Sequence, residues 1–337
     1  MDLTSGGAID KLLALHTLRN LGIDVADSPE ALQQELRSAF LPHVDALELH
    51  RRVSEFRKLN FREMSYQEVS EAIRRVIMFE TPLGTHSVLQ VNGGNYPAGT
   101  KFYRVRRIPK GDHITPLRSM SKVSDCWEPP GECIRIGRLN KEREPILYTS
   151  PLDPSVAIGE LRIPEGEWFS LILYEAVKDI SVATIGGQPD ITGLNNDDAL
   201  KIEMIQGFLR DEFTRDVGRG TEYLYRISEI IAKDYFDLPP AMQDAWCYPS
   251  IVDKTKFNVA FRPNMRTKLR LIGVEIAKVN RMDDRGLLLS VGMVATKGDG
   301  SNDLAYYHIG SPKQREVFPW IAQKKPAPSR DGNGATP

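Results

Sequence analysis

The residues best suited to chemistry in this chain lie within positions 137–160, which contain Arg138, Asn140, Tyr148 and Glu160. They surround a short apolar run at 146–148 that is typical of a β-strand. A helix is predicted over 154–160, because it opens with a proline, which the first helical turn tolerates. Glu160 would lie about two turns into this mostly apolar helix, where an unpaired carboxylate is costly. It is therefore either held by cations or used in catalysis.

Two further segments carry polar groups beside predicted strands. Arg104 lies in the alternating run 101–105, and its guanidinium is suited to binding phosphate or carboxylate. Arg106 and Arg107 follow the same run and are expected to face water. Ser250 ends a Tyr-Pro-Ser segment that precedes a predicted strand starting at Asn258. Because serine, proline and asparagine all favour turns, an ordinary turn serine is the alternative interpretation.

The elements that must position these residues change in character along the chain. Residues 1–90 predict a helical region, with a capping box at Ser65 and Glu68 and apolar residues at helical spacing. A Gly/Pro/Asn-rich break at 91–99 predicts a domain boundary, followed by a second domain over 96–320. That part mixes predicted strands at 101–105, 168–174 and 258–261 with helices over 198–213 and 221–235, which favours an α+β fold.

The two ends of the chain have their own predictions. The amphipathic helices of residues 1–90 must bury one face, so we expect them to dock on the rest of the chain or to bind a partner. Residues 321–337 are polar and rich in proline and glycine, which predicts a disordered tail.

Composition narrows the class of protein. The chain has 337 residues, 41% of them hydrophobic, which suits one large or two modest domains. A formal charge of −1 gives no basic field, so no nucleic-acid partner is predicted. Three cysteines do not predict a disulfide framework, and no Cys/His spacing predicts a metal site. Neither an apolar run of about 20 residues nor an export signal is present, which predicts a soluble cytoplasmic protein that does not bind membranes.

Taken in order, these segments resemble the RES-domain family, which is named for its arginine, glutamate and serine. The resemblance covers about residues 102–261, roughly half of the chain. Its parts are FYRV at 102–105, GRLN at 137–140, LY at 147–148, AIGE at 157–160, and YPS at 248–250 with Asn258.

The resemblance implies a fold, an activity and a partner. RES domains resemble ADP-ribosyltransferases in fold, and characterised members consume NAD. An enzyme that cleaves the nicotinamide–ribose bond is therefore implied, as a glycohydrolase, a phosphorylase or a protein ADP-ribosyltransferase. NAD would be its substrate, with no cofactor and no metal. A toxin of a toxin–antitoxin or effector system is implied as well, with a cognate antitoxin or immunity protein as its partner.

The same resemblance implies roles for the charged residues. Glu160 would be the central catalytic residue, which hydrogen bonds ribose hydroxyls and stabilises the positive charge that develops on the ribose. Arg104 and Arg138 would hold the pyrophosphate through bidentate contacts.

Uncharged residues would complete the site. Tyr148 or Tyr103 would stack on the departing nicotinamide. Ser250 would position the carboxamide or the acceptor without acting as a nucleophile, since no histidine stands near it in sequence. Asn140 and Asn258 are further candidates for substrate binding.

The turn at 137–140 departs from the family pattern. The family usually has two glycines there and an aromatic residue before the asparagine, whereas this chain has Ile136 and Leu139. A RES-fold binding or regulatory protein without turnover is therefore the main alternative. A nucleic-acid effector is a further one, but it would need basic residues clustered with aromatics on one face, and here they are scattered.

Overall fold

The computed structural model describes residues 39–321, except residues 83, 113, 264 and 284–285. In this part of the chain, ten strands form one mixed sheet, and helices pack beside it. The helices are α1 Ala46–Phe56, α2 Tyr66–Ile77, α3 Pro154–Glu160, α4 Asn196–Thr214, α5 Tyr225–Ile230 and α6 Pro312–Val317. Helix α5 continues into a π-helical turn at Ile231–Tyr235.

Strands β1 Met78–Thr81 and β2 Gly84–Ser87 form a separate hairpin. The strands of the large sheet are β3 Asn92–Tyr96, β4 Lys101–Arg107, β5 Leu147–Pro151, β6 Trp168–Ala176, β7 Ile180–Thr184, β8 Ala245–Pro249, β9 Phe257–Phe261, β10 Leu269–Asp283, β11 Gly286–Lys297 and β12 Leu304–His308. The predicted α+β class is confirmed.

The order of strands in the large sheet is β12-β11-β10-β6-β4-β5-β9-β8-β7-β3. Strands β7 and β8 are parallel, and the other neighbours are antiparallel. Strand β4 pairs with β6 along its whole length but meets β5 at two positions only, Phe102 with Pro151 and Tyr103 with Ser150. Beyond Tyr103 the sheet therefore divides into two halves, and this division shapes the site described below.

The helices near the start of the described chain share a core with later elements. Helix α2 begins at the predicted capping box, in which the Glu68 N–H donates to Ser65 Oγ (3.2 Å) and the Ser65 N–H donates to Glu68 Oε2 (2.7 Å). Its buried face, with Val69 and Ile73, belongs to one hydrophobic cluster with Phe208 of α4 and with residues of α5 and β8. The region over residues 39–90 thus docks within the chain.

Two sequence predictions differ from the structure in this region. Residues 78–87 are the β1–β2 hairpin and not helix, because Pro82 and Gly84, with a φ of 110°, allow a tight turn there. The predicted break at 91–99 contains β3, an edge strand that pairs with β7 from Asn92 to Tyr96. Residues 1–38 and 322–337, which include most of the predicted tail, lie outside the described part of the chain.

Candidate active site

A cavity of about 420 Å³ opens where β4 and β5 separate. Its volume lies in the range of about 300–1,000 Å³ that is usual for small-molecule sites. The charged residues that line it are Arg104, Arg138, Arg162, Glu160 and Asp216, and its tyrosines are Tyr103, Tyr148, Tyr225 and Tyr248.

Most of the residues selected from the sequence therefore meet in one place. Those that line the cavity are Tyr103, Arg104, Arg138, Tyr148, Glu160 and Asn258. The other two, Ser250 and Asn140, are buried beside it and hold residues that line it, as the following contacts show.

Glu160 is the last residue of α3, and three donors converge on one of its carboxylate oxygens. Ser250 Oγ (2.6 Å), Asn258 Nδ2 (2.7 Å) and the Ile251 N–H (3.1 Å) all donate to Oε1. Among the described residues, no hydrogen bond reaches Oε2, and no arginine or lysine forms an ion pair with Glu160. Glu160 is thus held by neutral donors in a fixed orientation, with one oxygen left for a ligand.

Helix α3 is placed by contacts at both of its ends. At its start, Asp153 accepts from the Ser155 N–H (2.8 Å) and forms an ion pair with Lys256 (2.5 Å). At its end, Arg107 of β4 donates to the carbonyl of Leu161 (2.6 Å) and to that of Arg162 (2.9 Å). Arg107 was expected only to face water, but it satisfies two carbonyls that follow the last helical turn. These contacts fix the helix that carries Glu160.

Gly159 lets the segment after β8 approach this helix. A Cβ at position 159 would lie 2.8 Å from a methyl group of Val252, closer than carbon atoms can pack. The absence of a side chain there leaves room for Val252, which follows Ser250 and Ile251, the two residues that donate to Glu160. The contact with Val252 therefore explains why the segment AIGE has a glycine directly before Glu160.

The amide of Asn258 is oriented by a residue that the sequence did not single out. Ser150 Oγ of β5 donates to Asn258 Oδ1 (2.7 Å), which leaves Asn258 Nδ2 to donate to Glu160. Ser150 is 2% exposed and Asn258 is 5% exposed, so water does not compete strongly for these bonds. The two hydrogen bonds form a chain from β5 through β9 to Glu160.

The turn at residues 137–140 is held together by Asn140 and Tyr148. Asn140 donates to the carbonyls of Arg135 (2.9 Å) and Lys141 (2.8 Å), and its Oδ1 accepts from the Tyr148 hydroxyl (2.8 Å). That hydroxyl also accepts from the Leu139 N–H (2.9 Å). Asn140, predicted to bind substrate, is 3% exposed and instead shapes the turn that presents Arg138. A Cβ at Gly137 would lie 2.4 Å from Asn140 Oδ1, so only glycine fits there.

The tyrosines of the cavity offer a ligand their aromatic rings, and their hydroxyl groups do not ionise at neutral pH. Burial raises the pKa of Tyr148 and that of Tyr103, which keeps both hydroxyls protonated at neutral pH. Because both bonds of the Tyr148 hydroxyl go to the turn, its ring is what remains for a ligand. Tyr225, which the sequence did not single out, lies with its ring centre 5.5 Å from the Arg138 guanidinium carbon.

Arg138 reaches the cavity from the turn and contacts the segment after α4. Its Nη2 donates to the Arg215 carbonyl at 3.2 Å, a long bond, while its own carbonyl accepts from Ser228 Oγ at 2.8 Å. No carboxylate forms an ion pair with Arg138 among the described residues, so its charge is free to bind an anion.

Arg104 borders the cavity at the gap between the two halves of the sheet. Tyr103 pairs with Ser150 and so shares the face of Glu160, which places Arg104 at the alternate position of the strand. Arg104 Nη1 is enclosed without a hydrogen-bond partner, and no ion pair reaches this guanidinium within the described residues. Burial lowers the pKa of Arg104, and its electrostatic neighbours include Glu128 and Tyr174. The Arg104 side chain therefore extends from the face of β4 opposite to that of Glu160.

Ser250 combines the two roles that the sequence left open. It is fully buried, donates to Glu160, and accepts from the Val252 N–H (3.1 Å) as a turn serine does. No histidine hydrogen bonds to it among residues 39–321, which agrees with a positioning role.

If the cavity cleaves NAD, as the resemblance in sequence implies, we expect Ser250→Ala to reduce kcat about tenfold, because one donor to Glu160 is lost. The same change should lower the free energy of unfolding by about 1 kcal/mol, because one turn bond is lost as well. Rates per folded molecule and thermal melts measure the two effects. Thr100→Ala is the control, because the buried Thr100 hydroxyl donates to the Pro97 carbonyl and Thr100 does not line the cavity. Unchanged kcat with lowered stability would leave Ser250 as a turn residue only.

Arg162, Asp216 and Tyr225 are cavity residues that the sequence prediction did not include, because their segments carry no pattern typical of a site. Arg162 follows α3 directly, while Asp216 and Tyr225 come from the long insert between β7 and β8. The one signal for Arg162 is its position two residues after Glu160. Nothing in the sequence places the insert beside the GRLN turn.

Comparison with known proteins does not assign the chain. No model of a known protein family matches it, and no curated protein matches it either. Within the described residues, no group of three or more His, Cys, Asp or Glu side chains is arranged to hold a metal ion. A helix long and apolar enough to cross a membrane is likewise absent from residues 39–321, leaving aside the short gaps.

Proposed function

We propose that this protein is a RES-like enzyme that cleaves the nicotinamide–ribose bond of NAD, as a glycohydrolase or a phosphorylase. The observation that carries the proposal is the state of Glu160, whose Oε1 accepts three hydrogen bonds while Oε2 remains at a cavity lined by arginines and tyrosines. An oriented carboxylate without a cationic partner is suited to stabilise a cation that exists only in the transition state.

The reaction needs groups that the cavity contains. As the bond between ribose and nicotinamide breaks, its electrons leave with neutral nicotinamide and the ribose becomes oxocarbenium-like. Glu160 faces the developing charge, and a water or phosphate oxygen then bonds to the ribose carbon; attack by water releases a proton. Arg138 supplies a cation for the pyrophosphate, and the ring of Tyr148 supplies a stacking surface.

The GRLN turn departs from the family pattern at Leu139, but the position of this residue in the structure weakens the argument against turnover. Leu139, which replaces an aromatic residue, is fully buried in the hydrophobic cluster of α1, α2 and α4, and it does not line the cavity. Its N–H still donates to Tyr148. The ring surface of the site comes from Tyr148 and Tyr225, so a leucine at position 139 leaves that surface in place.

A protein ADP-ribosyltransferase is an alternative within the same chemistry, because the acceptor alone separates it from a hydrolase. We further propose that loss of NAD makes the protein a toxin or effector, restrained by an antitoxin or immunity protein. Both proposals rest on the resemblance in sequence and on the cleavage reaction.

Purified protein incubated with NAD, with and without phosphate, tests the proposal. We expect nicotinamide to be released in both cases, together with ADP-ribose alone or with its 1″-phosphate when phosphate is the acceptor. Separation of the products by chromatography and mass spectrometry measures them. Intact NAD after prolonged incubation, together with binding of NAD, would favour the binding protein without turnover.

A further inference from the structure

We propose that Arg162 is a further anion-binding residue of this cavity, and that Asp216 competes with the ligand for it. The kind of ligand, a molecule with a pyrophosphate, rests on the proposed function. The competition itself rests on the geometry of two segments that meet at the cavity, the one after α3 and the one after α4.

The first observation is the ion pair between Arg162 and Asp216. Arg162 Nη2 lies 2.8 Å from Asp216 Oδ1, and both residues line the cavity. Their side chains are 68% and 72% exposed, so solvent screens the pair. Such a pair exchanges readily for a ligand, because little stability is lost when it opens.

The second observation is that the same segment contacts another arginine of the cavity. Arg138 Nη2 donates to the carbonyl of Arg215, the residue before Asp216. Residues 215–216 therefore engage both Arg138 and Arg162, which line the cavity from two different segments of the chain. A pyrophosphate that used both guanidinium groups would have to release the segment from each of them.

The third observation concerns how Arg162 is held. It has a φ of 48°, a left-handed conformation that is uncommon for residues other than glycine, asparagine and aspartate. The Arg107 guanidinium binds its carbonyl at 2.9 Å and that of Leu161 at 2.6 Å. Its backbone is thus fixed directly after Glu160, while its side chain is free to exchange partners. This is the arrangement expected of a binding residue.

Asp216 then sets the affinity of the cavity for anions. It occupies Arg162 when no ligand is bound, and its negative charge repels an approaching phosphate. A ligand with a single charge gains little by displacing it, whereas a pyrophosphate has charge enough to engage Arg138 and Arg162 together. The pair therefore favours ligands that carry a pyrophosphate over anions with a single charge.

Direct binding of inorganic pyrophosphate and of ADP-ribose, measured by calorimetry, tests the proposal without any turnover. We expect Asp216→Asn to lower the Kd of both about fivefold, which corresponds to about 1 kcal/mol, the upper range for an exposed ion pair. Arg162→Gln should raise the Kd about tenfold. In the Arg162→Gln background, Asp216→Asn should improve binding much less than it does in the wild type, because only the repulsion between Asp216 and the phosphate is left to remove.

The control is Asp211→Asn, because Asp211 forms a similarly exposed pair with Arg57 (2.6 Å) and does not line the cavity. It should leave both Kd values unchanged. An equal effect of Asp216→Asn with and without Arg162, no effect of Arg162→Gln, or no binding of pyrophosphate would overturn the proposal. Failure of the proposed function would look different: these binding changes would occur in a protein that leaves NAD intact.

Discussion

Glu160→Gln should abolish most NAD cleavage while leaving the fold intact. The glutamine carbonyl can accept the same three hydrogen bonds from Ser250, Asn258 and the Ile251 N–H that Glu160 Oε1 accepts. Its amide nitrogen then replaces Oε2 at the cavity, so a negative charge is exchanged for a donor. Because stabilisation of a developing charge by one group contributes about 10²–10³-fold, we expect kcat to fall by that factor.

The measurement is single-turnover release of nicotinamide, together with a thermal melt of the same preparation. Glu203→Gln is the matched control, since Glu203 is an exposed residue of α4 outside the cavity. It should leave both kcat and the melting temperature unchanged. If Glu160→Gln released nicotinamide at the wild-type rate, Glu160 would not be the catalytic carboxylate.

Arg104→Met should weaken the binding of NAD without lowering the stability of the fold. An enclosed donor without a partner costs about 1–3 kcal/mol, and Arg104 Nη1 is such a donor. Methionine fills a similar volume without a charge, so the free energy of unfolding should be unchanged or higher. If Arg104 holds a phosphate, its loss should raise the KM for NAD about tenfold or more, because charge-assisted hydrogen bonds are strong.

Arg106→Met, on the same strand, is the control, and the opposite pair of effects is expected for it. Arg106 donates to the Asp125 carbonyl and does not line the cavity, so its removal should lower stability and leave KM unchanged. Urea denaturation and steady-state kinetics on the two variants measure both effects. Loss of stability in Arg104→Met with an unchanged KM would assign Arg104 to the fold rather than to the ligand.

Local features of this protein could be predicted from its sequence. The start of α3 at Pro154, the capping box of α2 and strands β4, β6 and β9 were all predictable. Each depends on the backbone preferences or the periodicity of a few neighbouring residues. Of the eight residues selected for the site from the sequence, six line one cavity.

The sequence alone was not sufficient where distant segments decide the structure. Residues 92–96, with two glycines, look like a break, but pairing with β7 makes them a strand. Asn140 was selected as a substrate ligand, and in the structure its amide forms hydrogen bonds within the turn and with Tyr148. Backbone pairing across the sheet and burial in a turn override local preference in both cases.

The sequence by itself thus determined which side chains can do chemistry and which short elements carry them. Only the tertiary structure decided how those side chains are arranged: Ser250 bonds to Glu160 across 90 positions, and Asp216 comes from an insert with no site pattern. It also decided that the Arg104 side chain lies on the face of β4 opposite to Glu160, because Tyr103, the neighbouring residue, pairs with Ser150 on the Glu160 side. The physical reason is that strand pairing and side-chain packing act between residues that are far apart in the chain, whereas sequence patterns record only neighbours.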